Sequence, residues 1–233
     1  MSTEDIYTDG SYLAKNPTWH AEHSQEKAVQ VVKLLSRNGI VPSTVGEIGC
    51  GAGGILDCLA QEYGTRVEFT GFEISPQAFE LCATRKRQNL RFFLGDMFAD
   101  EADPFDVVMA IDVFEHVEDY LGFLRKLRHK GVHKVFHIPL SLSAQTVWRM
   151  SPILRDREMA GHIHDFTKDT ALASLRDTGY EIVDYFYEKE SVGLPNCGWK
   201  AGLLELPRTL LFPIHQDLTA RVLGGFSLWV LAT

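Results

Sequence analysis

Seven consecutive residues, Glu47-Ile48-Gly49-Cys50-Gly51-Ala52-Gly53, have the composition of a ligand loop. Glycine lets a backbone turn tightly and come close to a bound group. Gly49, Gly51 and Gly54 also fit the Gly-x-Gly-x-x-Gly pattern of dinucleotide binders, so the loop alone leaves two ligand classes open. Three carboxylates narrow the choice. Glu47 stands two residues before the first glycine. It suits a ligand that carries an ammonium group and would repel a pyrophosphate. Glu73 follows Gly53 by twenty residues and suits the two hydroxyls of a ribose. Asp96, in Gly95-Asp96-Met97, can accept a hydrogen bond from the exocyclic amine of adenine. A fourth acid opens Asp112-Val113-Phe114-Glu115-His116-Val117.

The candidates for proton transfer are histidines, whose pKa matches neutral pH. His116, His162 and His164 are the catalytic candidates, and His20 joins Tyr12 and Trp19 as a candidate wall of an acceptor pocket. His162, His164 and Asp165 together supply too few ligands for a metal set, and no metal is assigned. Trp148 and Arg149, in the stretch 141–161, are candidates for the opposite wall, where arginine could hold a carboxylate or phosphate.

These residues need elements to bring them together. Apolar residues at Ala28, Val31, Val32 and Leu35 have helical spacing, with Gly39 at the stop. Strands are predicted over 44–48, 66–73, 90–94, 105–111, 132–138, 180–188 and 226–232, with helices over 55–63, 75–88, 119–129 and 167–179. Ser75-Pro76 reads as a capped helix start. A helix is predicted near 144–150 within a long connection, and short helices over 203–223, broken by Pro207 and Pro213. Alternating strands and helices imply a parallel sheet covered on both faces. In such a sheet the loop, Glu73, Asp96 and Asp112 all sit at strand ends facing one crevice.

The set Val45 to Gly53, Glu73, Gly95-Asp96 and Asp112-Val113-Phe114-Glu115-His116 resembles the class I S-adenosylmethionine-dependent methyltransferases, in the subfamily whose fourth strand ends in Asp-x-x-Glu-His-Val. His164-Asp165-Phe166-Thr167 and the closing 221–228 segment carry the same resemblance. It implies an α/β fold: a Rossmann-like seven-stranded, mostly parallel sheet with helices on both faces and the last strand antiparallel. It implies S-adenosyl-L-methionine as cofactor. Glu47, Gly49, Cys50, Gly51 and Gly53 would hold the methionine end, Glu73 the ribose, and Asp96 with Met97 the adenine, with Ile74 also in the cofactor site. Asp112 and Val113 would line the sulfonium. The expected division of one domain over 1–233 is an N-terminal lid and helix (1–40), a cofactor core (41–140), a substrate-side connection (141–165) and C-terminal helices and strands (166–233).

The expected reaction is O- or N-methylation of a small molecule. The run Asn16-Pro17-Thr18-Trp19-His20 resembles methyltransferases of bacterial sugar or secondary-metabolite pathways, and a sugar hydroxyl is the first expectation. The alternatives are an NAD-dependent oxidoreductase using the same loop, or a module that binds S-adenosylmethionine without catalysis. A net charge of -8 argues against a nucleic-acid partner. No Asn/Asp-Pro-Pro-Tyr segment follows the fourth strand, which argues the same way for base methylation. No apolar run is long enough to cross a bilayer, and no signal segment is evident, so no membrane partner is expected and the expected location is cytoplasmic. Cys50, Cys58, Cys82 and Cys197 show no metal-ligand spacing and are expected to be free thiols.

Overall fold

The computed structural model describes residues 7, 9–19, 21–85, 87–99, 103–189 and 199–233, of which 199–204 by their backbone only. His20 and Cys197 lie outside the described residues.

The seven strands are β1 Thr44–Ile48, β2 Glu68–Glu73, β3 Leu90–Leu94, β4 Phe105–Ile111, β5 Gly131–Pro139, β6 Ile182–Lys189 and β7 Phe226–Ala232. Their order across the sheet is β3-β2-β1-β4-β5-β7-β6. The first five are parallel, and β7 runs antiparallel between β5 and β6. This is the Rossmann-like arrangement expected. The chain turns outward in opposite directions from β1 and β4, so their carboxyl ends form the switch-point crevice where open α/β sheets bind ligands.

The core follows the strand alternation. Val108 and Ala110 face one side of the sheet, under Phe123, Leu124 and Leu127 of the helix Tyr120–Leu127 and Leu172 and Leu175 of the helix Lys168–Asp177. Val107, Met109 and Ile111 face the other, under Leu34 and Leu35 of the helix Ser24–Arg37 and Leu56 and Leu59 of the helix Gly54–Tyr63. All seven residues of β7 are buried, because it lies between two strands with helices above and below.

Local starts and stops follow the sequence. The Ser75 hydroxyl accepts from Ala78 N–H and Thr167 accepts from Thr170 N–H. Three expectations are corrected. The helix after β2 ends at Cys82 rather than near 88, giving way to a 3-10 turn over Ala83–Arg85. The connection after β5 holds two helices, Ala144–Arg149 and Ser151–Met159, separated at Met150, whose φ of 54° breaks the helical path. Pro207 does not break a helix: Trp199–Leu211 runs through it, since a proline removes a single amide donor and the flanking bonds carry the helix on. Among the described residues no helix is long and apolar enough to cross a membrane.

Candidate active site

β1 delivers Glu47 and the glycine loop to the crevice, and β4 delivers Asp112. Gly49, Gly51 and Gly53 all have positive φ, at 66°, 55° and 74°. At Gly51 a Cβ would also lie 2.7 Å from the Trp19 ring, so both the backbone and the close approach require glycine. Glu73, at the end of β2, braces this loop: its two carboxylate oxygens accept from Gly51 N–H and Ser75 N–H, each at 2.8 Å. Burial raises the Glu73 pKa and these backbone bonds oppose the rise.

A cavity of about 790 Å3 opens beside the loop. Of the expected cofactor residues, Glu47, Gly49, Cys50, Gly51 and Asp112 line it. Gly53, Glu73, Ile74, Asp96, Met97 and Val113 do not. Val113 packs on Gly49, and Met97 is buried. Ile74 is exposed beside an exposed Asp96, whose carboxylate accepts from Phe98 N–H at 2.9 Å.

Glu47 is 1% exposed, and its Oε2 has no hydrogen-bond partner among the described residues. Burial raises its pKa well above the ordinary carboxylate range, with Lys27 opposing. A buried carboxylate oxygen without a partner, on a cavity wall, fits a ligand ammonium.

Asp112 centres a charge network that sequence reasoning left out. It has a φ of 53°, forms an ion pair with Lys27, and lies 2.5 Å from His137 Nδ1. The other ring nitrogen of His137 is 2.8 Å from the Ser227 hydroxyl and 3.4 Å from Glu188, which also accepts from Trp229 Nε1. Burial opposes charge on His137, but Asp112 and Glu188 outweigh it and raise its pKa to about 9. Asp112 is held well below the usual carboxylate range: burial opposes this, and His137 and Lys27 prevail. Lys27, His137, Glu188 and Ser227 all line the cavity. The one available signal was His137 itself, a polar residue inside the apolar run 135–138 of a buried strand.

The N-terminal segment crosses the crevice. The Tyr12 ring packs at a tilt against Trp19 and Tyr7, with ring centroids 4.7 Å and 4.9 Å away. The segment is tied to the far wall, where Tyr7 donates to Ala160 O and Lys15 to Glu158 O. Tyr12 and Trp19 line the cavity.

The histidines separate. His116 and His162 line the cavity with ring centroids 4.9 Å apart. Burial holds the His162 pKa below its ordinary value, which leaves a neutral ring at neutral pH. His164 does not line the cavity. Its Nε2 donates to the Val117 and Glu118 carbonyls at 2.9 and 3.3 Å, which pins the connection to the segment after β4. Asp165 accepts from the Ser141 hydroxyl at 2.7 Å. Trp148 and Arg149 also stand outside the cavity wall. Trp148 is 90% exposed, and Arg149 reaches Gln145 on the surface. The wall expected of them is built by Ala160 and His162, because the chain bends at Met150 and returns to the crevice only at the end of the next helix.

Comparison with known proteins agrees with this geometry. A family described as "Methyltransferase domain" matches residues 20–185. A norajmaline N-methyltransferase of Rauvolfia serpentina is 33% identical over 110 residues, 44% of this chain and 37% of that protein. A (S)-coclaurine N-methyltransferase of Thalictrum flavum subsp. glaucum is 30% identical over 86 residues, 35% of this chain and 24% of that protein. The matched stretches thus span well under half of either relative. Among solved structures, the magnesium protoporphyrin IX methyltransferase of Synechocystis PCC 6803 with bound SAH superposes with a TM-score of 0.55 at 17% identity, covering 89% of this chain and 82% of that one. The N-methyltransferase NodS of Bradyrhizobium japonicum WM9, in complex with S-adenosyl-L-homocysteine, gives 0.56 at 16%, covering 89% and 85%. A loop that needs glycine, a buried Glu47 oxygen without a hydrogen-bond partner among the described residues and a family match over most of the chain converge: this chain belongs to the methyltransferase-domain family.

Proposed function

We propose that this enzyme methylates a hydroxyl or amine of a small molecule seated between Asp112, His116 and His162. The observation that carries the reading is that one cavity is lined by Glu47, the glycine loop and the two imidazoles together. S-adenosylmethionine, when bound, supplies a methyl group on a sulfonium, an excellent leaving group. The protein's work is then to orient the acceptor and exclude water. Glu47 binds the amino group, Glu73 shapes the loop beside the ribose, and Ile74, Asp96 and Met97 receive the adenine. Asp112, held by Lys27 and His137, keeps a fixed negative charge near the sulfonium. His162, neutral and with a buried Nδ1 that has no partner among the described residues, is the group to accept an acceptor proton. A hydroxyl is the first reading because it needs that base. An amine is the second, favoured by the two curated relatives, whose names record N-methylation.

A panel of hydroxyl and amine acceptors with methyl-labelled cofactor tests the reading. With an acceptor in hand, His162→Ala is expected to lower kcat by roughly a hundredfold. His164→Ala is expected to leave kcat near wild type and to cost about 1 kcal/mol of stability through its carbonyl bonds. Equal loss of kcat in both variants would move the acceptor away from His162. No turnover across a broad panel, with the cofactor bound, would favour a non-catalytic role.

Trp19 tests the lid. Its ring lies on Gly51 and its backbone has a φ of 50°, a region costly for a large residue. Trp19→Ala is expected to raise both association and dissociation rates of S-adenosylmethionine several-fold, with Kd changed far less. Stopped-flow fluorescence reads this, and unchanged rates would show that the segment does not gate the crevice.

A further inference from the structure

We propose that Glu115, His116 and His162 bind a divalent transition-metal ion of the zinc, cobalt or manganese class at the acceptor end of the cavity. The three side chains offer one ligand atom each, and these atoms lie within 4.8 Å of one another. Two imidazoles and one carboxylate are a donor set suited to such ions.

The strongest observation is Glu115. It is fully buried, and both of its carboxylate oxygens lack a hydrogen-bond partner among the described residues. Burying a carboxyl this way costs several kcal/mol unless something compensates. The Nδ1 of His162 is likewise buried and has no partner among the described residues. A cation between them satisfies both.

The orientation of His116 agrees. Its Nδ1 is 3.2 Å from the Gly161 carbonyl, which can only accept, so Nδ1 carries the proton. The same Nδ1 is 2.8 Å from the Tyr7 hydroxyl oxygen, whose own proton goes to Ala160 O. The Nε2 of the ring lies 3.9 Å from Glu115 Oε1. A backbone carbonyl on the outer nitrogen is the usual way a metal-ligating histidine is held. The backbone is pinned too: Ile163 and His164 N–H both donate to Glu115 O, at 3.0 and 3.1 Å. Ligands about 2.1 Å from a metal lie about 3–3.5 Å apart, so small rotations of the two imidazoles complete the site.

Three protein ligands leave positions open. His116 and His162 line the cavity, so those positions face the acceptor. A metal there would lower the pKa of an acceptor hydroxyl bound to it, so His162 would then serve as a ligand and not as the base. That last step rests on the proposed function; the metal site itself does not.

The test uses the full-length, tag-free protein after chelator treatment, titrated with Co2+ and followed by its visible absorption. One Co2+ per chain is expected, displaced by Zn2+. His162→Ala and Glu115→Gln are expected to weaken binding about tenfold or more, and His164→Ala to leave it unchanged. His162 is on the cavity wall, so its variant reports even if Glu115→Gln fails to fold. Absence of saturable binding at one per chain, or equal binding by wild type and His162→Ala, would overturn the proposal. Parallel calorimetry with S-adenosylmethionine separates the two readings. Cofactor binding without Co2+ binding removes the metal alone, whereas Co2+ binding with no acceptor turned over removes the acceptor reading and leaves the metal.

Discussion

Glu47→Gln is expected to weaken S-adenosylmethionine binding roughly 30- to 150-fold, the equivalent of about 2–3 kcal/mol for a lost charge-assisted bond to an ammonium. The amide keeps the shape of the side chain and removes its charge. Calorimetry at several pH values carries the sharper prediction. Burial raises the Glu47 pKa in the free protein, so ammonium binding must release its proton. Wild-type affinity is then expected to rise with pH until it passes that raised value, and Glu47→Gln to lose this dependence. Stability moves the other way. A carboxyl that stays protonated in the fold above its unfolded value makes the fold less stable as pH rises through that window. Glu47→Gln escapes this effect, so the free variant is expected to melt no lower than wild type near neutral pH. A large drop in Tm, or an unchanged Kd, would place the ammonium elsewhere.

Glu47 was legible in the sequence because its position is fixed by local chain geometry. Two residues before a glycine turn, at the end of a buried strand, the side chain has one crevice to face. The same holds for Gly51, for Asp112 and for the Ser75 and Thr167 caps, each a matter of a few neighbouring residues. What the sequence hid depends on partners far along the chain. His137 and Glu188 read as parts of ordinary strands. They meet only because β7 inserts antiparallel between β5 and β6 and brings Ser227 and Trp229 alongside them. Glu115 belonged to a visible motif, but that its carboxylate is buried with no hydrogen-bond partner among the described residues is a product of the tertiary packing, which no spacing reveals. His162 and His164 alternate, and spacing alone put both toward one side. The structure sends them to different partners because the Val117 and Glu118 carbonyls capture His164. Trp148 and Arg149 were misplaced for a related reason: the turn at Met150 is set by how two short helices pack, and nothing in the 141–161 composition announces it.

The network behind Asp112 carries the second large effect. Asp112→Asn preserves shape and tolerates the left-handed φ, since asparagine is at ease there. It nevertheless removes the anion that Lys27 and His137 share, and leaves Lys27 facing an amide and His137 without the charge that holds its proton. Breaking one partner of a buried ion network costs about 3–5 kcal/mol. The Asp112 side chain is 29% exposed to the cavity, so water screens part of this, and about 3 kcal/mol is the expected loss. The pH dependence identifies the cause. The His137 pKa is raised to about 9 in the fold, so its contribution is complete below about 6.5 and is lost as pH rises through 9. The Asp112 pKa is depressed, so its contribution is present above about 4 and is lost as pH falls through the depressed value. Wild type is therefore expected to lose up to about 1.4 kcal/mol per pH unit from this pair between pH 6.5 and 9. Asp112→Asn is expected to flatten that slope. Denaturant titrations across the range compare the two proteins directly. Parallel curves would mean that Asp112 does not hold the proton on His137, and the negative charge assigned to the sulfonium side of the cavity would lose its support.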